Sequence, residues 1–301
     1  MKTATQMMGL LKTARPNFLI LTPACLSLPF ALASHELNTL PVGLVFLIVV
    51  GAIAAHIAVN VFNEYEDFRN GLDLMTQRTP FSGGSGALPQ YPELVSWTGF
   101  LAVFSTLLLL VVGVGLLLEV GSPLLYVGLP GVVIVLTYSR WIVRLPWFCL
   151  IAPGLAFGPL MIMGTGYVVT GTYTLHFFMA SLPCFFLVNN LLLLNQLPDA
   201  EPDARVGRQT LPVAYGKRFS IRIYNVFMGL SYLSLVAAIL FTELPQGALL
   251  GAVSAPLALW IGLGLHRSLC RNQNLLPYLG LNVLTTLITP VAMAIGILVF
   301  S

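Results

Sequence analysis

Residues 40–73 read LPVGLVFLIVVGAIAAHIAVNVFNEYEDFRNGLD. From Leu40 to Phe62 there is no Asp, Glu, Lys or Arg. About 20 helical residues cross a hydrocarbon core, so this stretch is long enough to do so. At Asn63 the character changes abruptly, and Glu64, Glu66, Asp67 and Asp73 follow within eleven residues. A membrane helix that ends in a cluster of carboxylates sets the frame for the whole chain.

Eight further apolar stretches fit the same description. With the first, the nine lie near 16–34, 40–63, 96–118, 121–138, 147–168, 173–197, 219–242, 246–265 and 276–300. Of the 301 residues 57% are hydrophobic and only 8% charged, which excludes a soluble globular domain. The lengths and the Leu, Val, Ile and Gly content fit helices, not the alternating short segments of a barrel. The expectation is an all-α polytopic membrane protein, one domain over 1–301, with nine transmembrane helices around a central chamber and no soluble domain appended. The first 34 residues have the outline of a signal peptide. Their apolar run is longer than a usual signal core and contains Pro23 and Pro29, so a retained first helix is expected.

All fourteen Lys and Arg residues fall at the N-terminus or in alternate connections: Lys2, Lys12 and Arg15; Arg69 and Arg78; Arg140 and Arg144; Arg205, Arg208, Lys217, Arg218 and Arg222; Arg267 and Arg271. The opposite connections carry only Glu36, Glu119 and Glu243, with His35 and His176. The positive-inside rule then puts the N-terminus and the acidic cluster on the cytoplasmic side, with the chamber opening there, and nine spans put the C-terminus outside. The expected location is the inner membrane of a bacterium. Cys25, Cys149, Cys184 and Cys270 show no metal spacing and read as packing residues.

Residues 195–212 read NQLPDAEPDARVGRQTLP and look like a copy of the first polar string. In both an Asn precedes an Asp by four residues, and an Arg, a Thr and a Pro follow in order; Asn195 and Asp199 lie 132 residues after Asn63 and Asp67. This suggests an old internal duplication with two helix groups facing each other. His56, Asn60, Asn63 and Asp67 share one helix face, as do Asn195, Asp199 and Asp203 if the helix passes Pro198. Polar side chains inside a span are costly unless they face a cavity or each other, so two such stripes imply a polar chamber. His56 by itself reads as an interior residue and is not counted as catalytic. Oxygen ligands without sulfur suit Mg²⁺, and Mg²⁺ suits phosphate oxygens. Arg78, Arg144 and Arg208 are placed to add positive charge. The stretch Phe81-Ser82-Gly83-Gly84-Ser85-Gly86 reads equally as a flexible linker or as an anion-binding nest. A secondary transporter is the rival class, but transporter charges sit at the midplane on broken helices, whereas these lie at helix ends. A non-catalytic lipid-binding or scaffold role is the other alternative.

The two strings resemble the aspartate-rich motifs of the UbiA superfamily of intramembrane prenyltransferases. Asn60, Asn63, Tyr65, Asp67, Gly71 and Asp73 match the first, and Asn195, Asp199, Asp203, Arg205, Gly207, Arg208, Thr210 and Leu211 the second. Arg15-Pro16-Asn17-Phe18-Leu19 is similar to the family's entry to its first helix. Phe157-Gly158-Pro159-Leu160 through Gly164-Thr165-Gly166-Tyr167 is similar to the branch that prenylates 1,4-dihydroxy-2-naphthoate in menaquinone synthesis. The resemblance implies transfer of a polyprenyl group from its diphosphate to an aromatic acceptor, with lipid as surroundings and no nucleic acid partner. Asn63, Glu64, Asp67, Asp73, Asn195, Asp199 and Asp203 would hold Mg²⁺; Arg78, Arg144 and Arg208 would contact phosphate. Asp67, Asp199, Arg144 and Tyr138 would act in catalysis, Tyr138 near the acceptor. The sequence departs from the pattern at Glu64, where the family has Asp, and at Tyr138–Leu145, where the menaquinone branch has a Gly/Pro turn and a Lys. 4-Hydroxybenzoate, homogentisate and haem therefore stay open as acceptors.

Overall fold

The computed structural model describes residues 2–37, 39–270 and 274–300. Arg271, used above for orientation, lies outside them, as do the side chains of Lys2 and Cys270. The fold is all-helical, with no strand among the described residues. In chain order we label α1 Lys2–Thr13, α2 Pro16–Leu37, α3 Val42–Arg69, α4 Pro92–Val120, α5 Ser122–Thr137, α6 Pro146–Thr170, α7 Leu175–Arg205, α8 Lys217–Phe241, α9 Gln246–Ser268 and α10 Leu276–Phe300. Eight of these, α2 to α4 and α6 to α10, are long and apolar enough to cross a membrane. The ninth expected span, near 121–138, is the shorter α5, which contains Pro130. Large apolar side chains such as Trp97, Phe100, Leu118, Leu233, Leu240 and Leu259 stand exposed around the bundle. So much contiguous apolar surface marks a membrane-facing exterior.

α3 packs along α4 and α7 along α8, so each helix that ends in an acidic string packs against the helix that follows it. α7 runs through Pro198 and Pro202 to Arg205, eight residues beyond the apolar stretch that ends at 197. It therefore carries Asn195, Asp199 and Asp203 on one helix. α6 contains a π-helical turn at Ala156–Leu160, which follows Pro153 and includes Pro159, both without a backbone donor. There α6 meets α7 almost backbone to backbone. A Cβ on Gly154 would lie 2.1 Å from the Phe185 carbonyl oxygen, and the Gly154 N–H donates to Asn189 Oδ1 at 2.6 Å.

Three central helices are joined by a closed polar ring. Asn190 Nδ2 donates to the Tyr224 carbonyl, Tyr224 Oη to Asn282 Oδ1, and Asn282 Nδ2 to the Asn190 carbonyl, at 2.9, 2.9 and 3.2 Å. All three residues are fully buried, so these bonds fix the mutual rotation of α7, α8 and α10 where apolar packing is unselective. The C-terminal ends of α3 and α7 lie together at one end of the bundle, joined by Arg208. At the other end Glu36 of α2 pairs with His176 of α7 at 2.5 Å. Cys25, Cys149 and Cys184 are free and buried, as packing residues are.

Candidate functional site

A cavity of about 560 Å³ opens among α2 to α7. Its acidic end is walled by Arg15, Asn63, Asp67, Asp73, Asn195, Asp199, Asp203 and Arg208. The remainder is mostly apolar, lined by Leu109, Leu110 and Gly113 of α4 and Leu125, Gly128, Leu129 and Gly131 of α5 among others. Several of these lining residues, Leu110, Leu125 and Leu129 among them, are also exposed on the outer surface. The apolar limb therefore reaches the bundle's outer face between α4 and α5.

The two acidic strings converge through an arginine. Arg208 Nη2 donates to Asp67 Oδ1 on α3, and Nη1 to Asp203 Oδ1 on α7 at 3.4 Å. Asp67 and Asp203 are buried, at 3% and 2% exposure, and buried carboxylates need such countercharge. Asp73 follows α3 on the one-turn helix Leu72–Met75. Burial, with the charges of Glu64 and Asp67 adding to it, pushes its carboxyl up to about 8.

The glycine-rich stretch is an ordered strap between the strings. Gly83, Gly84 and Gly86 have φ of 80°, 70° and 68°, a region that residues with a Cβ rarely adopt. The Gly83 N–H donates to Asp199 Oδ2 at 3.1 Å. Ser85 donates twice to Glu64, from its backbone N–H at 2.7 Å to Oε1 and from Oγ at 2.6 Å to Oε2. Gly84 passes so close to Asp73 that a Cβ would sit 2.7 Å from Oδ1.

Arg15 completes this corner. Its Nε donates to Glu64 Oε1 at 2.7 Å and its Nη2 to Asn63 Oδ1 at 3.1 Å. The backbone of Arg15 is left-handed, φ 52°, the one non-glycine residue with positive φ among the described residues. Such a conformation costs on the order of 1–3 kcal/mol and persists where the surroundings enforce it.

Of the residues picked out from sequence, Asn63, Asp67, Asp73, Tyr138, Asn195, Asp199, Asp203 and Arg208 line the chamber. Glu64 is fully buried behind them, its oxygens engaged by Arg15 and Ser85. Arg78 and Arg144 are exposed and do not belong to the chamber wall. Arg78 instead covers Gly86, where a Cβ would lie 2.1 Å from its Nη1. Tyr138 Oη lies 3.8 Å from Cys149 Sγ, and Gln196 Nε2 contacts the same sulfur at 3.4 Å. Sequence reasoning did not pick Arg15, Gln196 or Thr210 as site residues, although Arg15 and Thr210 stand in motifs quoted above.

Several buried oxygens on this wall have no partner among the described residues: Asp73 Oδ2, Asn195 Oδ1, Gln196 Oε1 and Thr210 Oγ1. Buried polar atoms ordinarily have partners, so orphans on four residues that line one chamber point to a ligand at this end of it. Their chemistry, carboxylate and amide oxygens without sulfur, fits a hard cation such as Mg²⁺. Among the described residues no three Asp, Glu, His or Cys side chains already converge as a metal centre. Arg208 holds the space between Asp67 and Asp203.

Similarity to known proteins agrees with this geometry. A 1,4-dihydroxy-2-naphthoate octaprenyltransferase of Bacillus subtilis is 25% identical over 186 residues, which is 61% of this chain and 58% of that protein. The chain thus matches little more than half the length of that relative. A solved digeranylgeranylglyceryl phosphate synthase superposes with TM-score 0.67 at 14% identity, over 98% of this chain and 99% of the other. A UbiA homologue from Archaeoglobus fulgidus, bound to DMAPP and Mg²⁺, superposes with TM-score 0.64 at 15% identity over 97% and 99%. At such identities these structures establish a shared fold. The sequence profile of the UbiA prenyltransferase family matches residues 20–284, and the chain, an integral multi-pass membrane protein, belongs to that family.

Proposed function

We propose that this protein transfers a polyprenyl group from its diphosphate to 1,4-dihydroxy-2-naphthoate, with Mg²⁺, as a step of menaquinone synthesis. The observation that carries the reading is the chamber itself. Two acidic strings from distant parts of the chain share its polar end, and an aliphatic limb leads from them to the bundle's exterior. A polyprenyl diphosphate has the same two-part character. The Bacillus relative supports this acceptor, and the Archaeoglobus neighbour supports the diphosphate and the metal.

Asn63, Asp67, Asp73, Asn195, Asp199 and Asp203 would hold Mg²⁺, and the bound metal would neutralise charge on the diphosphate and assist its departure. Arg208 and Arg15 are the cations of the chamber wall. Arg208 now balances Asp67 and Asp203; with cations on those carboxylates its guanidinium is available to phosphate oxygens. Both arginines favour charge that grows on the leaving group, which is transition-state stabilisation. The strap from Ser82 to Gly86 closes this end and holds Asp199 and Glu64 in register. Aliphatic walls exclude water from the allylic cation left after the C–O bond breaks. The acceptor ring carbon would attack that cation and restore its aromaticity by losing a proton or its carboxylate as CO2, with Tyr138 of the chamber wall near the acceptor. Arg78 and Arg144, outside the wall, contribute long-range attraction for an anionic substrate.

The orientation proposed from charge places this end in the cytoplasm of a bacterial cell, with α5 as the ninth span. A secondary transporter is disfavoured because the carboxylates lie at helix ends and an arginine already neutralises them.

The test is turnover in nanodiscs with Mg²⁺ and labelled polyprenyl diphosphate, offering 1,4-dihydroxy-2-naphthoate and 4-hydroxybenzoate separately. A prenylated naphthoquinol, abolished by chelation and by the double variant Asp67→Ala, Asp199→Ala, is the expected result. Diphosphate release without that product contradicts the acceptor; absence of any turnover contradicts the enzyme.

A further inference from the structure

His56 lies two turns of α3 below Asn63, about 16 Å along the helix from Asp67, among aliphatic neighbours. It is 7% exposed, and its side chain forms part of the chamber wall. An ionisable side chain at this depth in a span is costly and ordinarily marks a functional position. Its ring is held on two sides. Nδ1 lies 2.8 Å from Oγ1 of Thr22 on α2, a residue with no solvent exposure. Phe157, brought to the wall at the π-helical turn of α6, meets the ring edge-on with centroids 4.9 Å apart.

The imidazole makes no other hydrogen bond among the described residues, so Nε2 has no protein partner. An orienting partner on one nitrogen and a chamber on the other is how histidine presents itself to a ligand. Of the two proposed substrates the prenyl chain offers no hydrogen-bonding group. An aromatic acceptor does, and Phe157 supplies a flat surface beside it. The tautomer does not alter the argument. With Thr22 donating to Nδ1, Nε2 carries hydrogen and donates; with Nδ1 donating to Thr22, Nε2 accepts. A hydroxyl group satisfies either arrangement.

We propose that His56, oriented by Thr22, is the hydrogen-bond anchor for a ring hydroxyl of the aromatic acceptor, at the end of its subsite away from the carboxylates. The proposal rests on the prenyl-transfer reading, and its test separates the two. Mg²⁺-dependent binding of a polyprenyl diphosphate to the unaltered protein is measured first; its absence overturns that reading and this one with it. Kinetics with 1,4-dihydroxy-2-naphthoate then compare His56→Ala, His56→Gln and Thr22→Val. The expected result is an acceptor KM raised about tenfold in His56→Ala, the scale of one lost buried hydrogen bond. His56→Gln, whose amide reaches the position of Nε2, recovers part of it, and Thr22→Val shows a smaller rise. The KM for prenyl diphosphate stays within about twofold, which a general packing defect would not spare. Should His56→Ala fail to fold, the other two variants decide. An unchanged acceptor KM in folded His56→Gln and Thr22→Val, or equal increases for both substrates, overturns the anchor.

Discussion

Glu64 shows how one methylene changes the job of a side chain. The resemblance places an aspartate there, and the longer chain carries the carboxylate into contact with Arg15 and both donors of Ser85. Its work in this geometry is to fasten the glycine strap to α3. Ser85→Ala removes the Oγ bond to Glu64 and the one Oγ accepts from the Ala87 N–H, and is expected to cost about 1–2 kcal/mol, while Glu64→Gln unpairs Arg15 and costs about 2 kcal/mol or more. Thermal unfolding in detergent checks the order; equal midpoints for Glu64→Gln and the unaltered protein would contradict the strap. The carboxylate strings were legible because acidic residues are so rare in this chain that their clustering had to have a cause. Arg15 was not, because its left-handed backbone and its reach across 49 residues to Glu64 are tertiary facts. Arg78 and Arg144 lie outside the chamber wall, because a positive-inside bias puts arginines near the site whether or not they face it.

At the scale of the helix, apolar run length located eight spans, most of them to within a few residues, since hydrocarbon thickness dictates it. It did not locate the end of α7. Pro198 left its continuation open, and α7 continues through Pro198 and Pro202 to Arg205. The π-helical turn of α6 was equally hidden, although it brings Phe157 beside His56. Gly154 tests this packing. A methyl group there meets the Phe185 carbonyl, so Gly154→Ala is expected to destabilise by about 1–3 kcal/mol. In Gly229→Ala on exposed α8 nothing lies within 4 Å of the added carbon, and the change is expected to be neutral or stabilising by up to about 1 kcal/mol. Comparing thermal midpoints of the two variants isolates the close approach from the intrinsic effect of alanine.

For the molecule as a whole, the sequence supplied a bundle around a chamber, and the chamber's polar and apolar ends follow from which helix faces carry Asn and Asp. The depth of the apolar limb does not, because it depends on the gap between α4 and α5. That gap has a consequence for substrate range: Gly131→Phe fills the limb and is expected to shift the preferred prenyl diphosphate to a shorter chain, read from product lengths in a mixed-substrate assay. The shorter α5 bears on topology. Alkaline phosphatase fused after Glu119 is expected to be active and after Arg140 inactive; equal activity at both positions means that α5 does not cross.

The central claim is that the two acidic strings form one site for metal and diphosphate, and a double-mutant cycle tests it most directly. Mg²⁺-dependent binding of polyprenyl diphosphate would be measured by calorimetry for the unaltered protein, Asp67→Asn, Asp199→Asn and the pair. Residues serving one site couple, so the account predicts a loss of about tenfold or more in each single variant and a double variant scarcely worse than the weaker single. Losses that simply add, or a single variant that binds normally, would contradict it.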